Sequence, residues 1–497
     1  MKRYHYVLII LFVLVAILTG VVLHADRVVS RVASERLQAL VQEKQIPLTW
    51  QAIHVRLLHG SVRVDSVALS LNVKDSVTGD STQVELVVPR VYVGRVHKWQ
   101  LLRHRVVEID KAEVTNACMT MRRSQDKLQV STDSVSLAVH GLGYSIMDSV
   151  FNYCDSIYSL ETGAFALTTP DGLFRLNLGH LETKDAGSIV LTDIRGTNTD
   201  KKERHADIMG KVPATWAAFD FSRVEIAPTN IIRMALKAKE EGIALEHIAV
   251  DGRHVEVYRD VHYLPRDKEP MPQEVMAQMP MPLHIAAVDV ALKKLSVAVT
   301  LDGAHAGQLM VSNTHAQISN ITNTHGDSLQ ATAICKVAGI ADAKASFTMV
   351  QNKACEFALA ADIHNMTGSA FTPFLLPMLG MEVRCNIHEV AMRWRGNKVD
   401  TKGTFCMKYD SMKVHVDKEE AHIPQVHKLA GVINAFAPAI IIKQNPRRNG
   451  EEAKVYEVYA KRDPMENFPK YLFMPLVDGM VQTVAPKSIS KMIRKKL

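Results

Sequence analysis

From Val7 to Leu23 the chain carries no charge, and every residue except Ala16, Thr19 and Gly20 is Val, Leu, Ile or Phe. As a helix rising about 1.5 Å per residue this run covers roughly 25 Å, close to the ~30 Å hydrocarbon core of a bilayer. Tyr4 and Tyr6 fall at the interface, and Lys2 and Arg3 precede the run. By the positive-inside rule the short N-terminus stays in the cytoplasm and the bulk of the chain lies across the membrane. A cleaved signal peptide is the rival reading, with an apolar core of about 7–15 residues and a small-residue cleavage site. This run is longer, and Leu23-His24-Ala25 is a poor site. The expectation is a retained single-pass anchor over residues 1–25.

The remaining roughly 470 residues are enough for two to four ordinary domains or one elongated array. Aromatic residues make up only 6% while Val, Thr and Ser are plentiful, a balance that favours β-strands with modest cores. The net charge of +7 is spread along the chain except at its two ends, which argues against a nucleic-acid partner. Six cysteines raise the question of disulfides. Cys335 and Cys355 both fall in apolar phases, but the strand-like run Ala345–Val350 between them sets them about 9.6 Å apart, beyond disulfide reach. Cys385 shares the phase of Val383 and Ile387, whereas Cys406 alternates with Thr404 and Lys408, so those two face opposite sides. Free thiols are expected.

Helical spacing over Asp26–Gln45, with Asp26 or Ser30 as cap and Pro47 as stop, predicts a stalk helix within residues 26–47 that lies against the membrane or the first strands. From Trp50 the period changes to two. Ile53, Val55 and Leu57 alternate with His54 and Arg56, His59-Gly60 turns, and Val62 and Val64 resume on a return strand. The apolar phase slips between Val64 and Val67, as a β-bulge would cause. A strand at Val91–Val93, a short helix within His97–Leu102 and a strand from Val107 to Val114 form one unit. A second copy runs from Val224 through Asn230–Leu236 to Ile243–Val250, which points to a repetitive sheet with local helical caps. Residues 48–262 are thus a first β segment.

Residues 263–284 hold five prolines with Met271, Met276, Met279 and Met281 interleaved, which excludes a central strand or a long helix. This is a loop or hinge dividing the chain, its methionines either padding the sheet edge or touching lipid. A second β segment, 285–417, contains clean alternation at Leu295, Val297, Val299 and Leu301. It also contains a short helix or turn at Phe374–Leu379 and a closing meander of four short strands from Val383 to Val416. Residues 418–497 form a helical cap: an apolar helix over His427–Ile442, a strand at Val455–Ala460 and an apolar helix over Tyr471–Val484 kinked at Pro475. A basic tail closes the chain, and it either lies on an anionic membrane surface with the preceding helix or is a solvated end.

The chain has no HExxH, GxSxG, phosphate loop, dinucleotide glycine pattern or CxxC. Its 21 histidines scatter without metal-ligand spacing, and pairs such as Asp110 with Glu113, or Asp400 with Asp410, sit in polar phase. No catalytic residue, metal site or cofactor is expected, and the chain reads as a non-enzyme. A long series of strands with one apolar side must be covered by a second layer, close on itself, or leave a groove. The few short helices cannot roof some twenty strands. The two architectures left are a curved antiparallel sheet with an apolar trough suited to acyl chains, and a stack of sandwiches with closed cores.

The hairpin Ile53-His54-Val55-Arg56-Leu57-Leu58-His59-Gly60-Ser61-Val62-Arg63-Val64-Asp65-Ser66-Val67, set after an anchor and a stalk helix, resembles the opening of AsmA-like proteins. These belong to the bridge-like lipid-transfer proteins with a chorein-type, taco-like groove. The unit from Val91 through Leu101-Leu102 to Val114 looks like that family's strand, short helix, strand element. Gly403-Thr404-Phe405 with Tyr409-Asp410-Ser411-Met412-Lys413-Val414 is similar to the closing strands of AsmA-like chains in Bacteroidota. The resemblance implies a mainly β fold in which an N-terminal transmembrane helix leads into an elongated, curved antiparallel groove with short capping helices and C-terminal helices. It also implies an inner-membrane anchor, a periplasmic bulk, phospholipids as ligand, an outer-membrane or periplasmic protein partner, and a role in lipid transport or outer-membrane homeostasis. A stack of about 24 strands at ~4.8 Å each reaches ~115 Å, so one copy bridges only part of an envelope. The groove face is expected to include Val62, Val64, Leu86, Val107, Ile109, Leu295, Val297 and Val299. The alternative function is a membrane-anchored assembly or scaffold factor that carries no lipid.

Overall fold

The computed structural model describes residues 25–39, 41–42, 47–74, 81–97, 106–123, 128–145, 150–153, 158–169, 172, 174–183, 187–198, 215–227, 242–260, 268–300, 305–417, 419–420, 441–448 and 450–485. The apolar run Val7–Leu23, the short helices expected within His97–Leu102 and Asn230–Leu236, nearly all of the helix expected over His427–Ile442, and the basic tail lie outside these residues. Among the described residues no helix is long and apolar enough to cross a membrane. The chain is mainly β and divides into two compact units, Met1–Asp193 and Ile194–Leu497.

The first unit begins with helix α1, residues 25–39. Strands β1 (Leu48–Thr49), β2 (Ala52–Arg56), β3 (Ser61–Lys74), β4 (Ser81–Val96), β5 (Val106–Arg123) and β6 (Gln129–Ser145) follow. From β2 to β6 they pair antiparallel in sequence order. Short strands then line β6 in turn: β7 (Val150–Tyr153), β8 (Tyr158–Thr162) and β9 (Phe165–Thr168). The unit ends in β10 (Phe174–Leu178), β11 (His180–Thr183) and the first half of β12 (Ile189–Asn198). Asp26 and Ser30, expected to cap α1, serve β2 instead. The Leu57 N–H donates to Asp26 Oδ1 at 2.8 Å, the Val55 N–H to Ser30 Oγ at 2.8 Å, and Trp50 Nε1 to Ser34 Oγ at 3.2 Å. Residues four apart share a helix face, so this stripe of acceptors occupies the edge of β2 that no described strand pairs.

The second unit contains β13 (Thr215–Ile226), β14 (Ile243–Asp260), β15 (Leu283–Thr300), β16 (Ala306–Thr322), β17 (Ser328–Val337), β18 (Ala341–Val350) and β19 (Phe357–Thr367). β20 (Met381–Gly396), β21 (Asp400–Val416) and β22 (Val455–Lys461) complete it. Three helices accompany them: α2 (Pro272–Ala277), α3 (Thr372–Leu379) and α4 (Phe468–Val484), the last with Pro475 inside as expected. All neighbours pair antiparallel except β14 and β15, which run parallel over their whole length, so the sheet is mixed rather than antiparallel. A parallel step needs a crossover of a dozen residues or more, and residues 261–282 supply it. The proline-rich segment is therefore a crossover that ends where β15 begins at Leu283, before the expected strand start. It carries α2, whose entry residue Met271 is fully buried and donates its N–H to Glu274 Oε2 at 2.8 Å. Gln273 donates to the Glu356 carbonyl and receives a hydrogen bond from Gln351, docking the crossover on the strands.

Phase slips turn out to lie inside strands. Ser66 and Asn116 adopt φ of 52° and 51°, and the register places Ser66 opposite Pro89 and Pro89 opposite Asn116. The β3–β4 register is the same on either side, so the slip after Val64 is not a two-against-one bulge; all three strands change phase in one row. In the second unit Asn313 and Asn320 take φ of 50° and 57°, and the β14–β15–β16 ladders are interrupted in the same two rows. Near His388 and Ser411 a local register irregularity, rather than a strand end, joins the four expected closing strands into two long ones, β20 and β21. Asn, Asp and Ser fill most of these sites because a short polar side chain tolerates the left-handed region. Asn313 is exposed. Asn313→Val should therefore lower stability by about 1–2 kcal/mol through backbone strain alone, with Asn313→Gly neutral or better, read from denaturant midpoints.

Candidate functional site

Register carries one apolar row across the second unit. Ile226, Ile248, Val288, Ile318, Ala331, Phe347, Leu359, Trp394, Gly403 and Val458 face one another in turn from β13 to β22. The next row runs Val224, Val250, Val290, Ala316, Ala333, Ala345, Ala361, Met392, Phe405 and Tyr456. Along the first row burial changes abruptly: Trp394 and Val458 are 2% exposed, whereas the members from Ile226 to Phe347 are half-buried. Lateral neighbours alone give half-burial, and full burial needs a second layer.

That layer is helical and sits at the C-terminal end. α4 packs against β21 and β22, bringing Tyr471, Leu472, Leu476 and Val484 onto Phe405, Met407 and Val458. Phe357 meets Phe468 and Tyr471 edge-on, with ring centroids 5.2 and 5.8 Å apart. Gly479 lies so close to the Phe405 ring that a Cβ would sit 2.3 Å from it, so the helix can approach only there without a side chain. α3 packs between β16 and β20, past the ends of the three shorter strands β17 to β19. Among the described residues no helix packs on the corresponding apolar positions of β14, β15 and β17. Between β16 and β19 the second row is four alanines deep; Ala361 is buried in the C-terminal core and Ala345 packs against that core, so the open part of the strip is Ala316 and Ala333, beside Ile318.

Leu295, Val297 and Val299 stand on this apolar face of β15, with Val255 and Val257 of β14 on one side and Val311 and Leu309 of β16 on the other. All three are half-buried. In the first unit Val62 and Val64 oppose Val93 and Val91, and Leu86 lies between Leu69 and Met119. Ile109 lies between Val96 and Leu142, and these four predicted residues are again half-buried. Val107 pairs with Tyr144 through the backbone; its side chain lies outside the description. A row Ile53, Val64, Val91, Val114, Leu137, Leu160 shows the same construction over six strands. The alanine strip escaped the sequence reading, since four alanines become neighbours only once the register is known.

The opposite face is polar and internally paired. His247 Nε2 lies 2.8 Å from Asp289, His97 Nε2 2.5 Å from Asp110, and His388 Nε2 2.7 Å from Asp410. Hydrogen bonds from Ser411, His388 and Asn386 hold the Asp410 carboxyl down to about 2, too acidic to accept a proton near neutrality. Two concavities, of about 930 and 620 Å³, are lined by residues of both phases: Leu359, Trp394, Arg393, Arg395 and Lys402 in one, and Val250, Ala316, Ala333, His315, Gln317 and Lys344 in the other. They contain none of the expected groove residues. Arg393 is committed to Asp362 through two hydrogen bonds of 2.6 and 2.7 Å. Among the described residues no group of His, Cys, Asp and Glu could hold a metal ion.

The five described cysteines are free thiols. β18 separates Cys335 from the residues beside Cys355, and Cys385 and Cys406 fall on opposite faces, as the phases indicated. Burial pushes the Cys385 thiol up to about 11. No family model, curated protein or solved structure matches the chain.

Two outcomes follow from this geometry. Gly479→Leu should destabilise the C-terminal cap by about 1–3 kcal/mol through overpacking against Phe405, seen as a lower thermal midpoint. His97 should titrate above its ordinary 6.5, chiefly because of its hydrogen bond to Asp110. The pair's stabilisation is then complete below 6.5 and lost as pH rises through the raised value. Histidine-resolved NMR should place the His97 midpoint above 6.5 and see it fall back in Asp110→Asn.

Proposed function

We propose that the chain is an AsmA-like, membrane-anchored protein that holds phospholipid acyl chains along the uncovered apolar rows of a curved sheet. In this reading Val7–Leu23 anchors it in the inner membrane, the bulk faces the periplasm, and its work is lipid movement or outer-membrane homeostasis without a chemical step. The observation that carries the proposal is the apolar row from Ile226 to Val458, closed by α4 at one end and half-buried over the rest. Soluble proteins rarely leave contiguous apolar surface on this scale without an occupant. Acyl chains suit it because shielding them is worth roughly 0.8 kcal/mol per methylene and needs no directional partner. Rows of similar residues repeated strand after strand offer sites of similar affinity, so a lipid can shift between them.

The alanine strip is where such a chain would lie deepest, and it can be filled without placing a charge in the sheet. Native mass spectrometry on residues 26–497, purified from the periplasm without detergent, should show co-purified phospholipid. Ala333→Trp should displace it, and Val297→Asp should weaken it, while circular dichroism stays that of the folded sheet. A folded protein that never carries lipid would sink this reading in favour of the scaffold alternative, in which the apolar rows hold protein.

A further inference from the structure

Strand phase sets the polar side chains of the larger concavity, about 930 Å³ in volume, on the opposite face of the sheet from Trp394 and Phe405, the residues that meet α4. Its floor is low, because Ala358 and Ala360 of β19 stand in the middle of it. On one side of this floor Arg395 of β20 is directly opposite Lys402 of β21. The Cβ atoms of directly opposed residues lie about 4.5–5.5 Å apart, and like charges so placed repel. The nearby carboxylates do not resolve the conflict. Asp400 lies 3.2 Å from Lys402, Glu356 accepts a hydrogen bond from Asn352 at 2.8 Å, and Asp362 is taken up by Arg393. Arg395 has no hydrogen-bond or ion-pair partner among the described residues. The hydroxyls of Ser346, Thr348 and Thr404, which line the same concavity, have none among the described residues either.

We propose that this concavity binds a phosphomonoester, with Arg395 and Lys402 on the phosphate. A phosphomonoester carries close to two negative charges at neutral pH and three acceptor oxygens, whereas a carboxylate carries one charge and two oxygens. Two opposed cations and three uncommitted hydroxyls match the former. The guanidinium supplies a planar fork for two oxygens, the ammonium a point charge for the third, and the bound anion turns a repulsive pair into an attractive triad. The alanine floor leaves room for the rest of the molecule. The ligand is either a free phosphomonoester or the headgroup of phosphatidic acid, which share this chemistry. None of the side chains that would hold it belongs to the apolar rows, so this site and the acyl-chain reading can fail separately.

The test uses the full chain in dodecyl maltoside micelles, which carry no phosphate, titrated calorimetrically with glycerol 3-phosphate at low ionic strength. Saturable binding of one molecule per chain is expected. Arg395→Gln should weaken it at least tenfold and Lys402→Gln several-fold, while Lys398→Gln, an exposed lysine outside the concavity, should leave it unchanged. Without ligand, Arg395→Gln should raise the thermal midpoint by about 1–2 °C, because it removes the repulsion, where a merely structural arginine would lower it. Phosphatidic acid doped into the micelles then separates the sources: competition with glycerol 3-phosphate supports the lipid headgroup, and its absence supports the free phosphomonoester. No saturable binding of glycerol 3-phosphate, binding indifferent to Arg395→Gln, or an equal loss in Lys398→Gln would overturn the proposal. So would a ligand-free Arg395→Gln chain less stable than the parent.

Discussion

A hydrogen-bonded sheet fixes its side chains in rows, because each residue's partner on the next strand shares its face. Everything distinctive in this protein follows from keeping those rows in phase over strands of up to 18 residues. Long strands twist, and a twist carried without correction turns an apolar side away from the surface it began on. The phase slips answer this. Between β3 and β4 the slip leaves the register intact, so Val opposes Val on both sides of it, whereas between β16 and β17 the register moves by one residue at Asn313. A slip in one strand alone would set its apolar residues against polar neighbours for the rest of its length.

The second demand of so extended a sheet is control of its edges. An unpaired strand presents N–H and C=O groups to any other strand in reach. Along β2 the acceptors Asp26 and Ser30 of α1 take the Leu57 and Val55 N–H groups on the open edge. On β22 the same solution appears in α4, where Asp478 accepts the Tyr459 N–H and Gln482 donates to the Glu457 carbonyl at 2.7 Å. In both cases a helix offers side chains at four-residue spacing, close to two residues of strand rise. Helix and edge match in length, so the edge is satisfied without adding a strand. This accounts for a buried aspartate in an otherwise apolar helix.

Strand content, the opening hairpin, β22, α3, α4 and the free thiols were legible in the sequence, because each rests on local periodicity or on the phase of one residue. Three features were not. The phase slips near His388 and Ser411 read as strand ends, since a change of parity in one strand looks the same whether the strand stops or bends. The parallel pairing of β14 with β15 has no local signature; only the length of the intervening crossover permits it. Asp26 and Ser30 have the composition of helix caps, and only the neighbouring β2 edge gives them another use. Of the apolar face, the valines and leucines were visible as alternation, while Ala316, Ala333, Ala345 and Ala361 acquire meaning only as neighbours across four strands.

Those alanines also bear on why one row is closed at one end and open at the other. Where α4 sits, the row supplies Trp394, Met392 and Phe405, large side chains that interlock with Tyr471 and Leu476 and with the backbone at Gly479. Such packing is specific to one partner in one position. Over β16 and β17 the second row carries only Ala316 and Ala333, which give a helix few ridges to lock into, whereas Phe347 of β18 already meets Phe468 of α4 with ring centroids 6.2 Å apart. A face built for a permanent second layer would use the large residues throughout. Small apolar residues in a continuous strip suit an occupant that is smooth, flexible and exchangeable, and an acyl chain has those properties.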